Sequence, residues 1–213
     1  MKQFILSISF LLACYAGFSQ SVQVQFITSK GNFTVMLYDQ IPKHRDMFLE
    51  QVKKGTYNDA LFNRVIKDFV SQAGELDDSI LNREKRHPEL GAKRFPAEFA
   101  PNAFHKKGAL GAGRDDNPEK ASYFNQIYLV AGKKHTDASL DAAEKRTGKT
   151  IPPARRIVYK TIGGTPHLDG DYTIFGEIVQ GMDVADAINT VPTDKNDVPV
   201  TPVVFSVKVI TRP

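Results

Sequence analysis

The run of residues 62–74, FNRVIKDFVSQAG, sets one arginine and one glutamine among apolar residues. Side chains of an extended segment alternate between two faces, so strict alternation predicts Arg64 on the side of Phe62, and Gln72 on the side of Val70. An arginine is permanently charged and holds its donors in a fixed plane. A guanidinium beside apolar side chains suits a site that grips a mostly apolar ligand by a carbonyl group. The pattern also fits a core strand whose Arg64 and Gln72 point to water.

The first nineteen residues have the layout of a secretory signal peptide. Lys2 is their only charge, the apolar run 4–13 follows, and the segment 17–19 places small residues at its first and third positions. The apolar run is too short for a mature membrane-spanning helix. Cleavage after Ser19 leaves one domain, residues 20–213. We therefore expect an exported protein, either periplasmic or secreted.

The single cysteine allows a second interpretation of this segment. Cys14 ends the sequence Leu-Leu-Ala-Cys, which resembles a bacterial lipobox with a less usual leucine at its middle position. Lipidation of Cys14 is the alternative to a soluble exported protein, and it is the only membrane attachment that we expect. Either way, the domain 20–213 contains no cysteine, which excludes disulfides and thiol chemistry there.

Charge and motif content exclude several further function classes. The chain has 28 Lys and Arg against 24 Asp and Glu, but its basic pairs are scattered and carry no interleaved aromatic residues. We therefore expect no nucleic-acid partner. The five histidines have no metal-ligand spacing, no hydrolase motif is present, and the glycines fit no phosphate-binding loop. We expect neither a metal nor a cofactor.

Alternating segments separated by turn residues predict a mainly β fold. Strands are predicted near residues 22–26, 33–37, 124–130, 173–179 and 203–209, with helices after Pro42 and Gly181. Strands linked by turns, with two widely separated helices, favour an antiparallel barrel closed by a helix at each end. Spacing alone does not distinguish this barrel from a sandwich.

Two further stretches lie outside this strand pattern. Residues 75–96 are polar without a clear period, and we interpret them as a long surface excursion. Residues 131–167 are predicted to hold an inserted helical hairpin, with helices over 137–147 and 153–162. We expect Ile157 and Ile162 to face inward in that hairpin.

Four blocks of this sequence, in order, resemble the cyclophilin peptidyl-prolyl isomerases. The central run matches Phe-His-Arg-Val-Ile, Phe-Met and Gln-Gly-Gly of that family with unbroken spacing and three substitutions. The other blocks are residues 31–42, residues 108–129 and the motifs Leu-Asp-Gly, Phe-Gly-Glu and Gly-Met-Asp within 168–183. The resemblance implies a closed antiparallel cyclophilin-like β-barrel capped by two helices, here with the inserted hairpin. It also implies isomerase activity on X–Pro bonds.

The resemblance also assigns roles to individual residues. Arg64 would donate to the prolyl nitrogen or its neighbouring carbonyl, beside Phe69 and Gln72 as the other catalytic residues. The remaining residues would bind substrate, the segment 112–114 through its backbone. These are Val70, Ala112, Gly113, Arg114, Gln126, Tyr128, His167, Leu168 and Tyr172. The implied partners are proline-containing segments of unfolded or partly folded proteins, bound by a monomer.

The chain departs from the family pattern around the expected pocket. Asn63 replaces a histidine, and Val70 and Tyr128 replace methionine and phenylalanine, changing the depth and polarity of the pocket. Small residues at 111–113 predict a wider groove. His167 replaces the tryptophan used in cyclosporin binding, which predicts weak cyclosporin affinity. These changes leave open a peptide-binding or chaperone module with little turnover, and an unrelated ligand-binding barrel would require the four blocks to be coincidence.

Overall fold

Eight antiparallel strands close into a barrel in the computed structural model, which describes residues 21–210. The strands are β1 Gln23–Thr28, β2 Gly31–Leu37, β3 Ala60–Ile66, β4 Val70–Gly74, β5 Ala109–Ala112, β6 Gln126–Val130, β7 Ile174–Gln180 and β8 Val203–Ile210. Their order around the barrel is β1-β2-β7-β5-β6-β4-β3-β8, and β8 pairs with β1 to close it. The predicted mainly β barrel is confirmed. The predicted signal segment and Cys14 lie outside the described residues.

The barrel interior is filled by the apolar side chains that the alternation predicted. Phe26 of β1 lies directly opposite Phe33 of β2, and their rings stack with centroids 4.6 Å apart. Phe205 of β8 continues the stack, 5.7 Å from Phe26. Such pairs favour burial on one face and fix the strand register, because a shift by one residue would turn them toward solvent.

The helices α1 (Pro42–Lys53) and α5 (Met182–Asn189) cover the barrel as predicted. Helix α1 buries Phe48 against the aromatic core, and its first free backbone N–H groups donate to Glu98, from Lys43 at 3.1 Å and His44 at 2.7 Å. A carboxylate at this end also complements the helix dipole. His44 is fully buried, with its ring nitrogens bonded to Glu98 and Ser122.

Helix α5 also fixes the β3–β4 hairpin through its last residue, Asn189. The Asn189 amide donates to the Ile66 carbonyl and to the Ser71 hydroxyl, both at 3.0 Å, and accepts from the Asp68 backbone N–H at 2.9 Å. Asp68 has a positive φ of 60° at the hairpin turn. The buried side chain of Asn189 therefore holds both arms and the turn of this hairpin.

The interpretation of residues 75–96 as a polar surface excursion did not include the helix that these residues contain. Helix α2 spans Asp77–Arg86, yet Ile80 is its one buried residue, so the sequence lacks an apolar period there. Acidic residues occupy the first turn of α2 and basic residues the last turn, as the helix dipole favours. This order of acidic and basic residues was the sequence signal from which the helix could have been predicted. No helix between residues 21 and 210 is long and apolar enough to cross a membrane.

The inserted hairpin consists of α3 (Asp137–Thr147) and α4 (Pro153–Thr161), close to the predicted bounds. Its small core contains Leu140, Ile151 and Tyr159. The expectation that Ile157 and Ile162 face inward was wrong, since they are 61% and 46% exposed. Ile157 lies two residues from Tyr159, about 200° around the helix, and Ile162 follows the last helical residue.

We expect Asn189→Ala to lower the free energy of unfolding by about 2 kcal/mol, because it leaves partly buried hairpin groups without partners. Urea unfolding of the domain 20–213 measures this effect. Thr190→Ala, which changes an exposed neighbour at the end of α5, serves as control. Equal midpoints for the two variants would contradict the role of Asn189.

Candidate active site

A β-bulge in β3 decides the direction of Arg64. Phe62 pairs with Ala73 and Arg64 with Gln72, so two steps along β3 match one step along β4. The extra residue, Asn63, breaks the alternation of the strand. Phe62 is buried in the barrel, whereas the side chain of Arg64 is 43% exposed. The prediction that Arg64 shares a side with Phe62 was therefore wrong.

Beyond the bulge, a row of paired residues crosses the outer face of the barrel. Arg64 pairs with Gln72, Gln72 with Tyr128, and Tyr128 with Gly111. The neighbours of Gln72 along β4, Ser71 and Ala73, are buried toward the interior, so Gln72 points outward. Directly paired residues share a face, which brings these side chains together on the outer surface.

A depression of about 140 Å³ lies over this row. Every predicted site residue lines it except Ala112 and His167, and Asp77 of α2 lines it in addition. The lining residues are Arg64, Phe69, Val70, Gln72, Asp77, Gly113, Arg114, Gln126, Tyr128, Leu168 and Tyr172. The depression therefore brings together strands β3, β4 and β6, helix α2 and the segments that follow β5 and the inserted helical hairpin.

Arg64 lies at the rim of this depression with its guanidinium largely open to a ligand. Among the described residues its ion-pair partner is Asp197, with Nε 3.7 Å from Oδ2. The side chains of both residues are 43% exposed, so the pair is screened by water and holds the arginine weakly. Most of the five donors of Arg64 are thus available to acceptors on a bound molecule.

The apolar side of the site rests on stacked rings. Phe69 and His167 stack with centroids 5.5 Å apart and ring planes 14° apart, so His167 supports Phe69 from outside the depression. Burial, and then the charge of Arg146, lower the pKa of His167 to about 4. The ring is therefore neutral near pH 7, which suits stacking on an apolar face.

Arg114 supports the opposite wall. Its guanidinium lies 4.6 Å from the centroid of the Tyr172 ring, and Nε donates to the Asp171 carbonyl at 2.7 Å. Another nitrogen donates to the carbonyls of Asp115 and Asn117. With these bonds made, Arg114 serves the site mainly by holding Tyr172 in place.

The hydroxyl of Tyr128 does not make the depression polar, although the replacement of phenylalanine predicted a change in polarity. Tyr128 is 5% exposed, and its hydroxyl is bonded to the His105 ring at 2.8 Å. Burial raises the pKa of Tyr128 well above its usual value, so the phenol remains neutral. Tyr172 meets the Tyr128 ring edge-on, with centroids 6.1 Å apart.

The small residues at 111–113 do not widen the groove, contrary to the prediction. A Cβ atom at Gly111 would lie 2.2 Å from Cζ of Tyr128, and one at Gly113 would lie 1.9 Å from Oε1 of Gln126. The space beside these glycines is filled by two side chains of the same protein. Ala112 faces the core instead of the groove.

The backbone of this segment is also largely bonded within the protein. The N–H groups of Ala112 and Gly113 donate to the carbonyls of Thr173 and Gln126, and the Gly113 carbonyl accepts from Tyr123. The Gln126 amide nitrogen donates to the Glu75 carbonyl at 3.0 Å and to Asp77. Gln126 therefore turns its carbonyl oxygen toward Gly113.

Sequence reasoning missed four residues that shape the site: Asp77, His105, Asp169 and Asp197. Asp169 lies in the Leu-Asp-Gly motif, which was a usable signal. No motif or spacing in the sequence distinguishes His105 from the other four histidines. Asp77 and Asp197 reach the site only through the folding of distant segments. Among residues 21–210, no cluster of three or more His, Cys, Asp or Glu suited to a metal ion is present.

A larger depression, of about 240 Å³, lies between α2 and the chain that precedes β6, lined by residues that include Ile80, Tyr123 and Phe124. It does not contain Arg64 or any other predicted site residue. We assign the chemistry to the smaller depression, because the guanidinium of Arg64 is only weakly paired there, whereas Arg83, which lines the larger depression, is bonded to Glu75.

Comparison with known proteins gives a consistent result. The family model for cyclophilin type peptidyl-prolyl cis-trans isomerase/CLD matches residues 23–209. A Staphylococcus saprophyticus protein whose name places it among these isomerases is 30% identical over 173 residues, covering 81% of this chain and 83% of the relative. A similarly named protein from Staphylococcus aureus is 31% identical over 185 residues, covering 86% and 89%.

Solved structures agree in fold. The crystal structure of a Cryptosporidium parvum cyclophilin type peptidyl-prolyl cis-trans isomerase has a TM-score of 0.63 at 19% identity, covering 91% of this chain and all of that chain. A structure determined in the presence of the dipeptide Ala-Pro has a TM-score of 0.62 at 19% identity, covering 89% and 99%. These matches confirm the resemblance drawn from the four sequence blocks.

We expect the His167 ring to stay neutral as the pH falls from 8 and to take up a proton only near pH 4. Because the folded-state pKa lies below the unfolded value of 6.5, this residue's contribution to stability is complete above pH 6.5 and is lost as the pH falls toward 4. The His167 ring-proton shift in NMR spectra measures the titration, with the urea-unfolded chain as control. A midpoint near 6.5 in the folded protein would contradict the burial of the ring.

Proposed function

The chain belongs to the cyclophilin-type peptidyl-prolyl cis-trans isomerases, and we propose that it catalyses rotation about X–Pro bonds in exported or envelope proteins as they fold. The observation that carries the proposal is the position of Arg64. Its guanidinium borders a depression walled by Phe69, Tyr128 and Leu168, where a proline ring fits beside a strong donor.

The reaction needs only an environment that favours a twisted amide. Rotation about a peptide bond faces a barrier of about 18–20 kcal/mol, because resonance keeps the amide planar. No covalent bond breaks, so neither a nucleophile nor a proton carrier is required. Catalysis requires groups that bind the twisted amide more strongly than the planar one.

Arg64 supplies that preference. When the amide twists, the prolyl nitrogen loses conjugation and becomes a better acceptor for a hydrogen bond. A guanidinium donor aimed at this nitrogen, or at the neighbouring carbonyl, stabilises the twisted form. The rim position and the weak pairing with Asp197 leave the Arg64 donors available for this bond.

The neighbouring side chains hold the substrate. Phe69, Val70, Tyr128 and Leu168 form the apolar wall for the proline ring, and Gln72 lies beside Arg64 to bond the peptide backbone. This partner class is supported by the Cryptosporidium relative studied with Ala-Pro. Slow X–Pro isomerisation, which takes tens to hundreds of seconds without a catalyst, is the step that the enzyme relieves.

The cellular setting is inferred from the N-terminal residues. The charge at Lys2, the apolar run and the small residues before Gln20 support export and cleavage after Ser19. The alternative is a lipoprotein held through Cys14. We take the exported enzyme to act as a monomer on proline-containing segments of incompletely folded proteins.

We expect Arg64→Ala to lower kcat/KM for a short X–Pro peptide about 100-fold or more, since a donor that acts on the transition state is lost. Arg64→Lys keeps the charge but not the planar donor array, so its kcat/KM should lie between those of the wild type and Arg64→Ala. Exchange NMR of the peptide measures turnover. Arg86→Ala, at an exposed position at the end of α2, is the matched control.

Equal turnover by wild type and Arg64→Ala would contradict the assignment of Arg64. Binding of the peptide without turnover by wild type would instead indicate a peptide-binding module on this fold.

We expect the mature protein to begin at Gln20 when it is expressed with its own N-terminal segment in a bacterium. Intact mass and N-terminal peptide mapping of the exported fraction measure the start. Labelling with a fatty-acid analogue tests the alternative, and Cys14→Ser is its control. A labelled wild type and an unlabelled variant would establish the lipoprotein and contradict a soluble product.

A further inference from the structure

A buried hydrogen-bonded chain leads from the depression to the inserted hairpin. The Tyr128 hydroxyl lies 2.8 Å from Nε2 of His105, and Nδ1 of His105 lies 2.9 Å from Oδ1 of Asp169. The His105 backbone N–H also donates to Oδ1, at 2.9 Å. The side chain of His105 is 1% exposed. One residue of the depression is thus linked to two residues that do not line it.

The carboxylate of Asp169 determines the direction of these bonds. Burial alone would raise the pKa of Asp169, but the hydrogen bonds that it accepts from His105 and from the Tyr159 hydroxyl lower it below the usual value. An ionised carboxylate only accepts, so Nδ1 of His105 carries a hydrogen. With the ring hydrogen on Nδ1, Nε2 accepts the hydroxyl hydrogen of Tyr128, which turns that hydrogen away from the depression.

The second carboxylate oxygen of Asp169, Oδ2, is bonded to the inserted helical hairpin. Tyr159 of α4, fully buried, donates its hydroxyl to Oδ2 at 2.7 Å, and Arg155 of α4 approaches Oδ2 at 3.3 Å. Arg155 also donates to the Pro101 carbonyl at 2.6 Å. Asp169 therefore joins the barrel, through His105, to the inserted helix. No residue of α3 or α4 lines the depression itself.

The position of Tyr128 matters because one side of its ring is blocked. The ring lies against the Gly111 backbone, where even a Cβ atom would be 2.2 Å from Cζ. Because the Gly111 side is closed, a released Tyr128 ring has room to move toward the depression that it lines, or to turn its hydroxyl into it. Either change makes the proline-binding surface shallower or more polar.

We propose that His105, Asp169 and the hairpin residue Tyr159 are positioning residues that set the depth of the proline pocket through the Tyr128 hydroxyl. This inference rests on the proposed function only in that a proline ring is the occupant. The proposal gives the inserted helical hairpin a role: it supports the Tyr128 wall of the depression from the side away from the substrate, and it does not cover the substrate.

A double-mutant cycle on peptide affinity tests the proposal. Tyr159→Phe should weaken the Kd of wild-type protein for an Ala-Pro peptide about three- to tenfold, the value of one hydrogen bond, with kcat changed less than KM. In a Tyr128→Phe background the same substitution should have little effect, because the hydroxyl to be positioned is absent. Tyr57→Phe is the matched control, since the buried Tyr57 hydroxyl has no partner among residues 21–210.

NMR of the His105 ring gives a second readout beside the peptide affinity. The ring nitrogens of His105 should report the Nδ1–H tautomer in wild type, and Tyr159→Phe should shift their resonances, whereas Tyr57→Phe should not. An unchanged Kd in Tyr159→Phe, or equal losses with and without the Tyr128 hydroxyl, would overturn the proposal. If the wild type shows no turnover but the Kd values follow the predicted pattern, the result would count against the isomerase activity and would support the positioning role.

Discussion

The bulge at Asn63 is the constraint on which the site depends. Without it, β3 would alternate strictly, and Arg64 would share the barrel interior with Phe62. A guanidinium in that aromatic core would have neither water nor a close carboxylate, at a cost that few folds tolerate. One extra residue turns the charge outward and lets Val65 return to the core. The same strand thus contributes an apolar wall inside the barrel and a cation outside it.

The site is held from several directions by contacts between residues of the protein itself. Asn189 at the end of α5 fixes the hairpin that carries Phe69 and Gln72. Arg114 holds Tyr172, and His167 supports Phe69. The link through His105 and Asp169 reaches the inserted hairpin. Because each wall is supported by other residues of the protein, the geometry is set before a ligand arrives, which lowers the ordering cost of binding.

Much of the fold followed from local sequence, and the missing parts have physical causes. Alternation along β1, β2 and β8 was visible because those strands bury one face, and the cap at Gly148 marked the end of α3. Helix α2 was missed because it buries only Ile80. The site residues could be named from the resemblance to the family, but their directions could not. The bulge, the ring of Tyr128 over Gly111 and the contact of Asp197 with Arg64 arise from pairing between distant segments.

The most direct test of this account is where a proline ring binds. Intermolecular nuclear Overhauser effects between the ring protons of an Ala-Pro peptide and the isotope-labelled domain 20–213 give that location. The account predicts contacts with Phe69, Tyr128 and Leu168, close to Arg64. Contacts confined to Ile80, Tyr123 and Phe124, in the larger depression beside α2, would contradict it.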